Sequence, residues 1–211
     1  MTKNISLNEI LNYEQRYRTT FINSLGGFKS TALIGSRGGD GYTNLAIFNS
    51  FFHVGANPPY FGFVVRPDSV DRHTLSNIMD CKEFTVNHVA ESFYTKAHQT
   101  SARYEKEISE FDAVGLTEEF VNGNYVPYVK ESRVKIYATF SQRIDVSVNN
   151  TIIIIAKIKE VILPQDCIAE DGYVDLNKAG SVTTAGLDSY FVSKPLERLP
   201  YAKPQQFQKV A

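Results

Sequence analysis

Hydrophobic and polar residues alternate along several short segments of this chain, as they do in β-strands with one buried face. In the clearest segment, residues 133–140, the apolar residues on one side are Val134, Ile136, Ala138 and Phe140. Segments rich in strand-favouring residues cover 26–37, 43–52, 60–65, 83–89 and 133–140. The run 151–156 is β-branched and continuous, so we expect a strand that is buried on both faces.

Helical signals are shorter and fewer. Ser6 and Glu9 have the spacing of a capping box and predict a short N-terminal helix. Asp71 precedes apolar residues at helical spacing in 75–79, and 92–110 is polar and helical in part. Six or more strands without regular strand–helix alternation predict an antiparallel barrel rather than a doubly wound sheet. We expect a single domain over 1–211, with its core at about 28–195 and with an N-terminal helix and a C-terminal extension packed on it.

The first predicted hairpin carries an unusual set of polar residues. Asp40-Gly41 is a turn signal, and the strand that we expect to follow it ends at the Pro58-Pro59 pair. Polar side chains within this otherwise apolar strand are Thr43, Asn44, Asn49 and Ser50. Buried polar groups cost free energy unless something bonds them. A ligand with polar edges and a flat apolar body, such as the isoalloxazine ring of flavin, meets that need.

Composition and charge exclude several partners. The formal net charge of the 211 residues is −1, so no electrostatic footprint for nucleic acid or an anionic membrane is present. No window approaches the roughly 20 apolar residues of a membrane-spanning helix, and the N-terminus lacks the apolar core of a signal peptide. The two cysteines, Cys81 and Cys167, are far apart and form no CxxC pair. This usage favours a reduced, cytoplasmic protein.

Common catalytic motifs are missing from the sequence. The glycine-rich segment 35–41 does not match GxGxxG and precedes a strand pattern, so we interpret it as a hairpin turn. The four histidines have no metal-ligand spacing, and GxSxG does not occur. The role of His98, in the polar segment, stays open.

A candidate anion site lies at the start of the predicted helix at 71–79. The segment 66–74 combines Arg66, Arg72, His73 and Thr74. Helix N-termini attract anions, and arginine supplies donors that match phosphate. A solvated loop with an ordinary cap is the alternative. The position directly after a hairpin with polar residues favours phosphate.

Several short motifs occur in a specific order along the chain. They are Asp40-Gly41, Asn44-Leu45-Ala46, Ser50-Phe51-Phe52, Asn57-Pro58-Pro59, Arg72-His73-Thr74 with Asn77-Ile78, Glu83–Asn87, Ser109–Asp112 and Gly115-Leu116-Thr117. Their order and spacing resemble the flavin reductase-like family, which has an FMN-binding split-barrel fold. The resemblance spans about 28–195 and is greatest to the flavoredoxin-like branch.

The resemblance implies a mainly β, six-stranded antiparallel Greek-key split barrel with a few short helices. It also implies a homodimer with FMN near the subunit interface. The implied cofactor contacts are Thr43, Asn44, Leu45, Ala46, Asn49, Ser50, Phe51, Arg72, His73 and Thr74. Backbone groups of 43–46 are expected at the polar edge of the ring, and Ser50 and 72–74 at the phosphate or ribityl chain. Substitution of Ser50 or Thr74 by alanine is then expected to weaken FMN binding while the fold stays intact.

The function implied is an FMN-binding oxidoreductase that takes hydride from NAD(P)H and passes electrons to an acceptor, to free flavin or to a redox partner protein. The alternative is a flavin- or haem-binding electron carrier or sensor without turnover. Oxidation of pyridoxine phosphate on a similar barrel ranks lower, because no second phosphate site is evident. The chain departs from the family at Leu187-Asp188-Ser189, where glycines are commoner and where a side chain narrows access to the ring, and at Arg72-His73, where many relatives have Lys-Asp.

Overall fold

The computed structural model describes residues 1–204 and shows a mainly β protein built around one seven-stranded antiparallel sheet. The strands are β1 Lys29–Ser30, β2 Ala32–Arg37, β3 Thr43–Phe48, β4 Phe52–Ala56, β5 Pro59–Val65, β6 Glu83–His88, β7 Glu118–Glu119, β8 Tyr128–Val129, β9 Lys135–Val146, β10 Thr151–Ile162, β11 Val182–Ala185 and β12 Ser189–Val192. The large sheet has the order β3-β2-β6-β9-β10-β5-β4, and β1-β11-β12 and β7-β8 form smaller sheets. The predicted fold class is confirmed, with seven strands rather than six in the main sheet.

Within residues 1–204, two helices precede the first strand, and three further helices and one 3₁₀ turn connect strands. They are α1 Leu7–Asn12, α2 Gln15–Leu25, α3 His73–Cys81, α4 Tyr94–Gln99, α5 Glu110–Val114 and the 3₁₀ turn Gln165–Cys167. The predicted capping box begins α1, since the backbone N–H of Glu9 donates to Ser6 Oγ and the N–H of Ser6 to Glu9 Oε2. Within residues 1–204, no helix combines the length and hydropathy needed to cross a membrane.

The first hairpin forms as predicted, but its second strand is shorter than expected. Gly41 has a φ of +90°, and its N–H donates to Gly38 O at 2.9 Å, which closes the turn between β2 and β3. The expected strand over 43–52 is divided, because β3 ends at Phe48 and β4 begins at Phe52. These two strands lie on opposite edges of the main sheet. The linking residues 49–51 lie where the chain leaves one edge and joins the other.

Two large apolar clusters and a small third one, of Val134, Cys167 and Ala179, form the core. The first lies on one face of the main sheet and includes Phe63, Phe84 and Ile154. Residues of α3 belong to this cluster. The second, which includes Leu33 and Leu45, lies on the other face of β2 and β3. The expectation that 151–156 is buried on both faces was wrong. In β10, Ile152, Ile154 and Ala156 are buried, whereas the residues between them are half-exposed, because nothing in residues 1–204 fully covers that outer face.

The two ends of the chain contribute little to the core. The N-terminal segment forms two helices rather than one, and neither contains a buried residue. Residues 193–204 are exposed, and the remainder of the predicted C-terminal extension lies outside the described residues. The two ends contact the rest of the protein where α2 approaches β11 and where Arg198 pairs with Asp171 and lies over the ring of Tyr173.

Candidate functional site

Strand β3 is an edge strand, and the protein itself covers the first half of its free edge. β3 pairs only with β2 within residues 1–204. The backbone N–H of Leu45 points away from β2 and donates to Glu110 Oε2 at 2.8 Å. The hydroxyl of Thr43 hydrogen-bonds to Ser109 Oγ at 2.9 Å and to the carboxylate of Glu118. Backbone and side-chain groups at 43–45 therefore form hydrogen bonds within the protein. The sequence had predicted them at the polar edge of a flavin ring.

Glu110 is the residue that covers this part of the edge. Its side chain is buried, and burial raises the pKa of its carboxyl group, while the hydrogen bond from Leu45 N–H opposes the shift. A buried carboxylate is unfavourable unless it is hydrogen-bonded. Sequence reasoning identified the segment 109–112 as a motif without giving this residue a role.

The second half of the β3 edge is free. Residues 46–51 are all half-exposed. Because N–H groups alternate in direction along a strand, the backbone of Ile47 points to the same outer side as that of Leu45. No strand pairs with it there within residues 1–204. This short edge offers backbone donors and acceptors to a ligand.

Asn49 connects the free edge to the turn between β11 and β12. Its side-chain Nδ2 donates to Gly186 O at 2.8 Å. Gly186 has a φ of +67°, and a Cβ there would lie 3.8 Å from the Cβ of Ser24 in α2. The late turn that the sequence motif identified is thus held between the end of β3 and α2.

Ser50 has a structural role that the sequence did not reveal. Its Oγ donates to Val64 O and accepts from Val64 N, both at 3.0 Å. The register Phe52↔Gly62 places Ser50 opposite Val64. The Ser50 side chain therefore continues the hydrogen bonding of β4 and β5 beyond the last backbone pair. The donor capacity of the hydroxyl is used within the protein.

Asn44 and Thr74 also bond each other rather than facing a cavity. Asn44 Nδ2 donates to Thr74 Oγ1 at 2.9 Å, and both side chains are buried. Asn77 Nδ2 donates to Ser36 Oγ at 3.2 Å in the same layer. These bonds fix α3 against the first hairpin. The polar residues that suggested a ligand therefore satisfy one another in large part.

The N-terminus of α3 combines an uncapped helix start with nearby positive charge. Arg72 is its N-cap residue, and no side chain caps the helix. Arg72 Nε donates to Pro67 O at 3.2 Å, which holds the guanidinium close to the end of β5. Burial lowers the pKa of Arg72, and the positive charges of Arg66 and Arg103 lower it further. Within residues 1–204, none of the three arginines has a carboxylate within salt-bridge distance.

This arginine cluster, Arg66, Arg72 and Arg103, has the features of a phosphate site. Like charges near one another destabilise the protein unless an anion neutralises them, and guanidinium groups match phosphate oxygens. The free N–H groups of a helix start add to the attraction. Arg103 was missed in the sequence, because it is one arginine in a polar segment and only the fold brings its charge near enough to lower the pKa of Arg72.

The other residues of the predicted site lie around these two features. Ala46 is half-exposed on β3, and His73 is the half-buried first residue of α3. Phe51 packs on the rings of Phe61 and Phe63, with centroids 5.8 and 5.4 Å away. Its ring therefore belongs mainly to the core.

His98, whose role the sequence left open, supports the late hairpin. His98 Nδ1 lies 2.9 Å from the hydroxyl of Tyr190 in β12. Burial raises the pKa of Tyr190 to about 12, and Asp188 contributes. The ring of Tyr94 lies 5.3 Å from the Tyr190 ring. Together, these contacts fasten the β11–β12 hairpin to α4.

Two open clefts lie at the two ends of β3. One, of about 440 Å³, is beside Thr43 and is lined mainly by acidic and hydroxyl residues together with Arg37. The other, of about 370 Å³, lies between α2 and the late turn at Leu187 and Asp188. Within residues 1–204, no group of three or more His, Cys, Asp or Glu side chains is placed to hold a metal.

The free edge and the arginine cluster together fit FMN. An edge strand supplies hydrogen-bonding groups for a polar ring edge, and the cluster supplies unneutralised positive charge for a phosphate. Ser50 links the two, since it follows the free edge and bonds Val64 near the end of β5, from which Arg66 follows. The fit rests on residues 46–50 and the arginines more than on 43–45.

Comparison with known proteins agrees with this fold. A protein described as a flavin reductase with a split barrel domain, from Shewanella frigidimarina NCIMB 400, is 44% identical, with a TM-score of 0.92 over 95% of this chain and 100% of that chain. Nitrilotriacetate monooxygenase component B from Bacillus cereus is 19% identical, with a TM-score of 0.81 over 94% and 99% of the two chains. Flavoredoxin of Desulfovibrio vulgaris (Miyazaki F) is 20% identical, with a TM-score of 0.71 over 83% and 92%. The last two likenesses concern the fold alone.

Sequence comparison places the chain in a family. An uncharacterized protein of Aquifex aeolicus (strain VF5) is 36% identical over 97 residues, which are 45% of this chain and 50% of that protein. That match therefore spans about half the length of the curated relative. Residues 27–179 match the family model described as the flavin reductase like domain. The chain belongs to the flavin reductase-like family.

Proposed function

We propose that this protein binds FMN and acts as an oxidoreductase that accepts hydride from NAD(P)H and passes electrons to an acceptor or to free flavin. The observation that carries the proposal is the free β3 edge at 46–49, followed by Ser50 and the arginine cluster near the end of β5. One feature matches the polar ring of a flavin and the other matches its phosphate. Neither is explained by the packing of the chain itself.

The residues of the chain bind and orient in this proposal, and FMN, when bound, supplies the hydride-accepting chemistry. The backbone of Ile47 and the side chain of Asn49 are proposed at the ring. Backbone N–H groups near a ring that gains negative charge on reduction stabilise that charge. Arg66, Arg72 and Arg103 are proposed to hold the phosphate. No side chain has to transfer a proton for hydride transfer itself.

Four residues of the predicted set, the buried Asn44, Leu45 and Thr74 and the half-exposed Thr43, take a different role. Asn44 and Thr74 join the hairpin to α3, while Glu110 holds Leu45 and Glu118 holds Thr43. We propose that they position the free edge relative to the helix start without touching the cofactor. Their substitution then changes FMN affinity through the shape of the site.

We further propose a homodimer. The outer face of the main sheet carries an apolar patch of Phe52, Ile144, Ile153 and Ile155. Ile144 pairs with Ile153 in the ladder, and the Phe52 ring covers Gly62 next to Ile155, so the patch is continuous. Continuous exposed apolar surface marks interaction sites. A second copy of the chain is the occupant that the family resemblance implies.

We also propose that the protein acts as an oxidoreductase in the cytoplasm. Cys81 and Cys167 are both free thiols. Burial raises the pKa of each thiol, so both are protonated at neutral pH and neither has the reactivity of a redox-active cysteine. Free, unreactive thiols are compatible with a reducing compartment.

The test mixes the FMN-loaded protein anaerobically with NADH or NADPH and monitors flavin reduction as a loss of absorbance. Reduction within seconds supports the proposed reductase. If FMN binds but is reduced only by a protein partner, the alternative of an electron carrier without turnover replaces it. Failure to bind FMN contradicts both. The protein incubated with riboflavin, which lacks the phosphate, is the matched control for the arginine cluster.

A further inference from the structure

Asp68 lies in the segment that joins β5 to α3, close to the arginine cluster along the chain. It follows Arg66 by two residues, and the carbonyl oxygen of its neighbour Pro67 accepts the hydrogen bond from Arg72 Nε at 3.2 Å. A carboxylate at this place would attract a guanidinium group of the cluster. Within residues 1–204, however, its salt bridge is to Arg143, which is not a member of the cluster.

Arg143 belongs to β9 and holds Asp68 from another part of the sheet. Its Nη2 lies 3.4 Å from Asp68 Oδ2. In the main sheet β10 lies between β5 and β9, so the contact joins the segment after β5 to a strand two places away. The side chains of Arg143 and Asp68 are 34% and 52% exposed, and ion pairs that solvent reaches contribute little to the stability of a fold. The consequence of the pair is where it holds the charge of Asp68.

Asp145 fixes the direction of the Arg143 guanidinium. Its Oδ1 accepts from Arg143 Nε at 2.9 Å and from Arg143 Nη2 at 2.7 Å. Both residues belong to β9 and are two positions apart, so their side chains lie on the same face of the strand. A planar guanidinium that is already held at two nitrogens loses little further freedom when a second carboxylate approaches. Asp68 therefore meets a partner that is already oriented.

The arginine cluster keeps its positive charge as a result. Within residues 1–204, none of its three guanidinium groups has a carboxylate within salt-bridge distance, although Asp68 is so near in sequence. A carboxylate paired with the cluster would occupy the donors that a phosphate needs and would repel the phosphate. Anion binding at the cluster therefore requires that Asp68 be held elsewhere.

We propose that Arg143 is a positioning residue for the phosphate site, because it holds the carboxylate of Asp68 away from the arginine cluster and so leaves the cluster open to the phosphate of FMN. The inference rests on the proposed function for the identity of this ligand. Arg143 acts through Asp68 and does not touch the phosphate. Without Arg143, Asp68 turns to the guanidinium groups of the cluster and competes with the phosphate for them.

A double-mutant cycle tests this role by titration with FMN and with riboflavin, monitored by flavin fluorescence. Arg143→Gln is expected to raise the Kd of FMN about fivefold and to leave the Kd of riboflavin unchanged. Asp68→Asn is expected to bind FMN at least as tightly as the wild type. The double variant lacks the competing carboxylate, so its Kd for FMN is expected within about twofold of that of Asp68→Asn.

Two exposed residues provide controls for the changes in net charge. Lys159→Gln and Glu170→Gln are expected to keep the wild-type Kd of FMN. If the loss in Arg143→Gln persists in the double variant, Arg143 binds the phosphate directly and the inference is overturned. An unchanged Kd in Arg143→Gln, or equal losses for FMN and riboflavin, overturns it as well.

Inorganic phosphate separates this inference from the proposed function. An anion that binds the folded state raises Tm, and chloride at equal ionic strength is the reference. Phosphate is expected to raise Tm least in Arg143→Gln, and equally in Asp68→Asn and the double variant. This order supports the inference even if FMN is not bound or not reduced, which contradicts the proposed function alone. Equal rises in all variants overturn the inference even where NADH or NADPH reduces bound FMN.

Discussion

The side chain of Asn49 and the backbone of Gly186, 137 residues apart in sequence, are joined by a 2.8 Å hydrogen bond. It ties the end of β3, where the flavin ring is proposed to lie, to the turn between β11 and β12. Asn49→Ala removes this bond from a half-buried position. We expect a loss of about 0.5–1.5 kcal/mol in the free energy of unfolding. We also expect the Kd of FMN, measured by fluorescence titration, to rise severalfold, because this side chain is proposed to lie at the ring. An unchanged Kd contradicts that placement.

The buried pair Asn44–Thr74 leads to a different prediction from the one that the sequence suggested. Thr74→Ala leaves the amide of Asn44 without its partner, and we expect a loss of about 1–3 kcal/mol in the free energy of unfolding, measured by urea denaturation. Thr74→Ser keeps the hydroxyl and serves as the control. If Thr74→Ala weakens FMN binding with full stability, Thr74 contacts the cofactor and the structural role is wrong.

Glu110 is expected to show a pH-dependent contribution to stability. Because the pKa of its carboxyl group is raised in the folded protein, the folded state binds more protons than the unfolded state near that pKa. The contribution to stability is therefore full below the unfolded pKa and falls as pH rises through the folded value. Glu110→Gln keeps an acceptor for Leu45 N–H without burying a charge. Denaturation at pH 7 is expected to find it at least as stable as the wild type and Glu110→Ala less stable.

His88 is expected to contribute to acid instability. Burial lowers its pKa to about 4, so the unfolded state binds a proton before the folded state does. The contribution of the neutral imidazole is full above pH 6.5, the ordinary value, and falls as pH decreases toward 4. The change in free energy of unfolding between pH 7 and pH 5 is expected to be smaller in His88→Gln than in the wild type. An identical change in both proteins contradicts this assignment.

The apolar patch on the main sheet predicts the oligomeric state. The wild type is expected to be dimeric in light scattering coupled to size-exclusion chromatography. Ile153→Lys places a charge within the patch and is expected to shift the protein to a monomer. Lys159→Gln, on an exposed position of the same strand, is the control. Unchanged dimers in Ile153→Lys contradict the use of this patch.

Local patterns in the sequence predicted much of the fold. The capping box at Ser6 and the turn at Asp40-Gly41 depend on neighbouring residues and are both present. The segment 133–140 forms a strand from Lys135, but its predicted alternation is only partly present, because Lys135 on the polar side is buried and pairs with Glu119. The division of 43–52 into two edge strands was not predictable from neighbouring residues. It involves hydrogen bonds between Ser50 and Val64, which lies on the adjacent strand β5.

The candidate site shows the same limit more strongly. Polar residues in the first hairpin signalled unmet hydrogen bonds, but the sequence could not show that Glu110, Glu118 and Thr74 meet several of them. Arg72 stood at a recognisable helix start, whereas Arg103 comes to it through tertiary structure. Contacts between distant segments decide which polar atoms remain for a ligand.

The arginine cluster is tested by the variant of the residue that the sequence missed. Arg103→Gln removes one positive charge beside Arg72, and we expect the Kd of FMN to rise about tenfold, as for the loss of one charge-assisted hydrogen bond. Riboflavin binding is expected to stay unchanged, since it has no phosphate. Lys159→Gln controls for the change in net charge. Equal losses for both flavins indicate a general distortion instead.

The most direct test of the account is a titration of the wild-type protein with FMN and with riboflavin, followed by flavin fluorescence at low and high salt. We predict that FMN binds at least about tenfold more tightly than riboflavin and that added salt reduces this difference. Equal affinities at both salt concentrations, or no binding of FMN, would contradict a phosphate site at the start of α3 and with it the proposed flavin site.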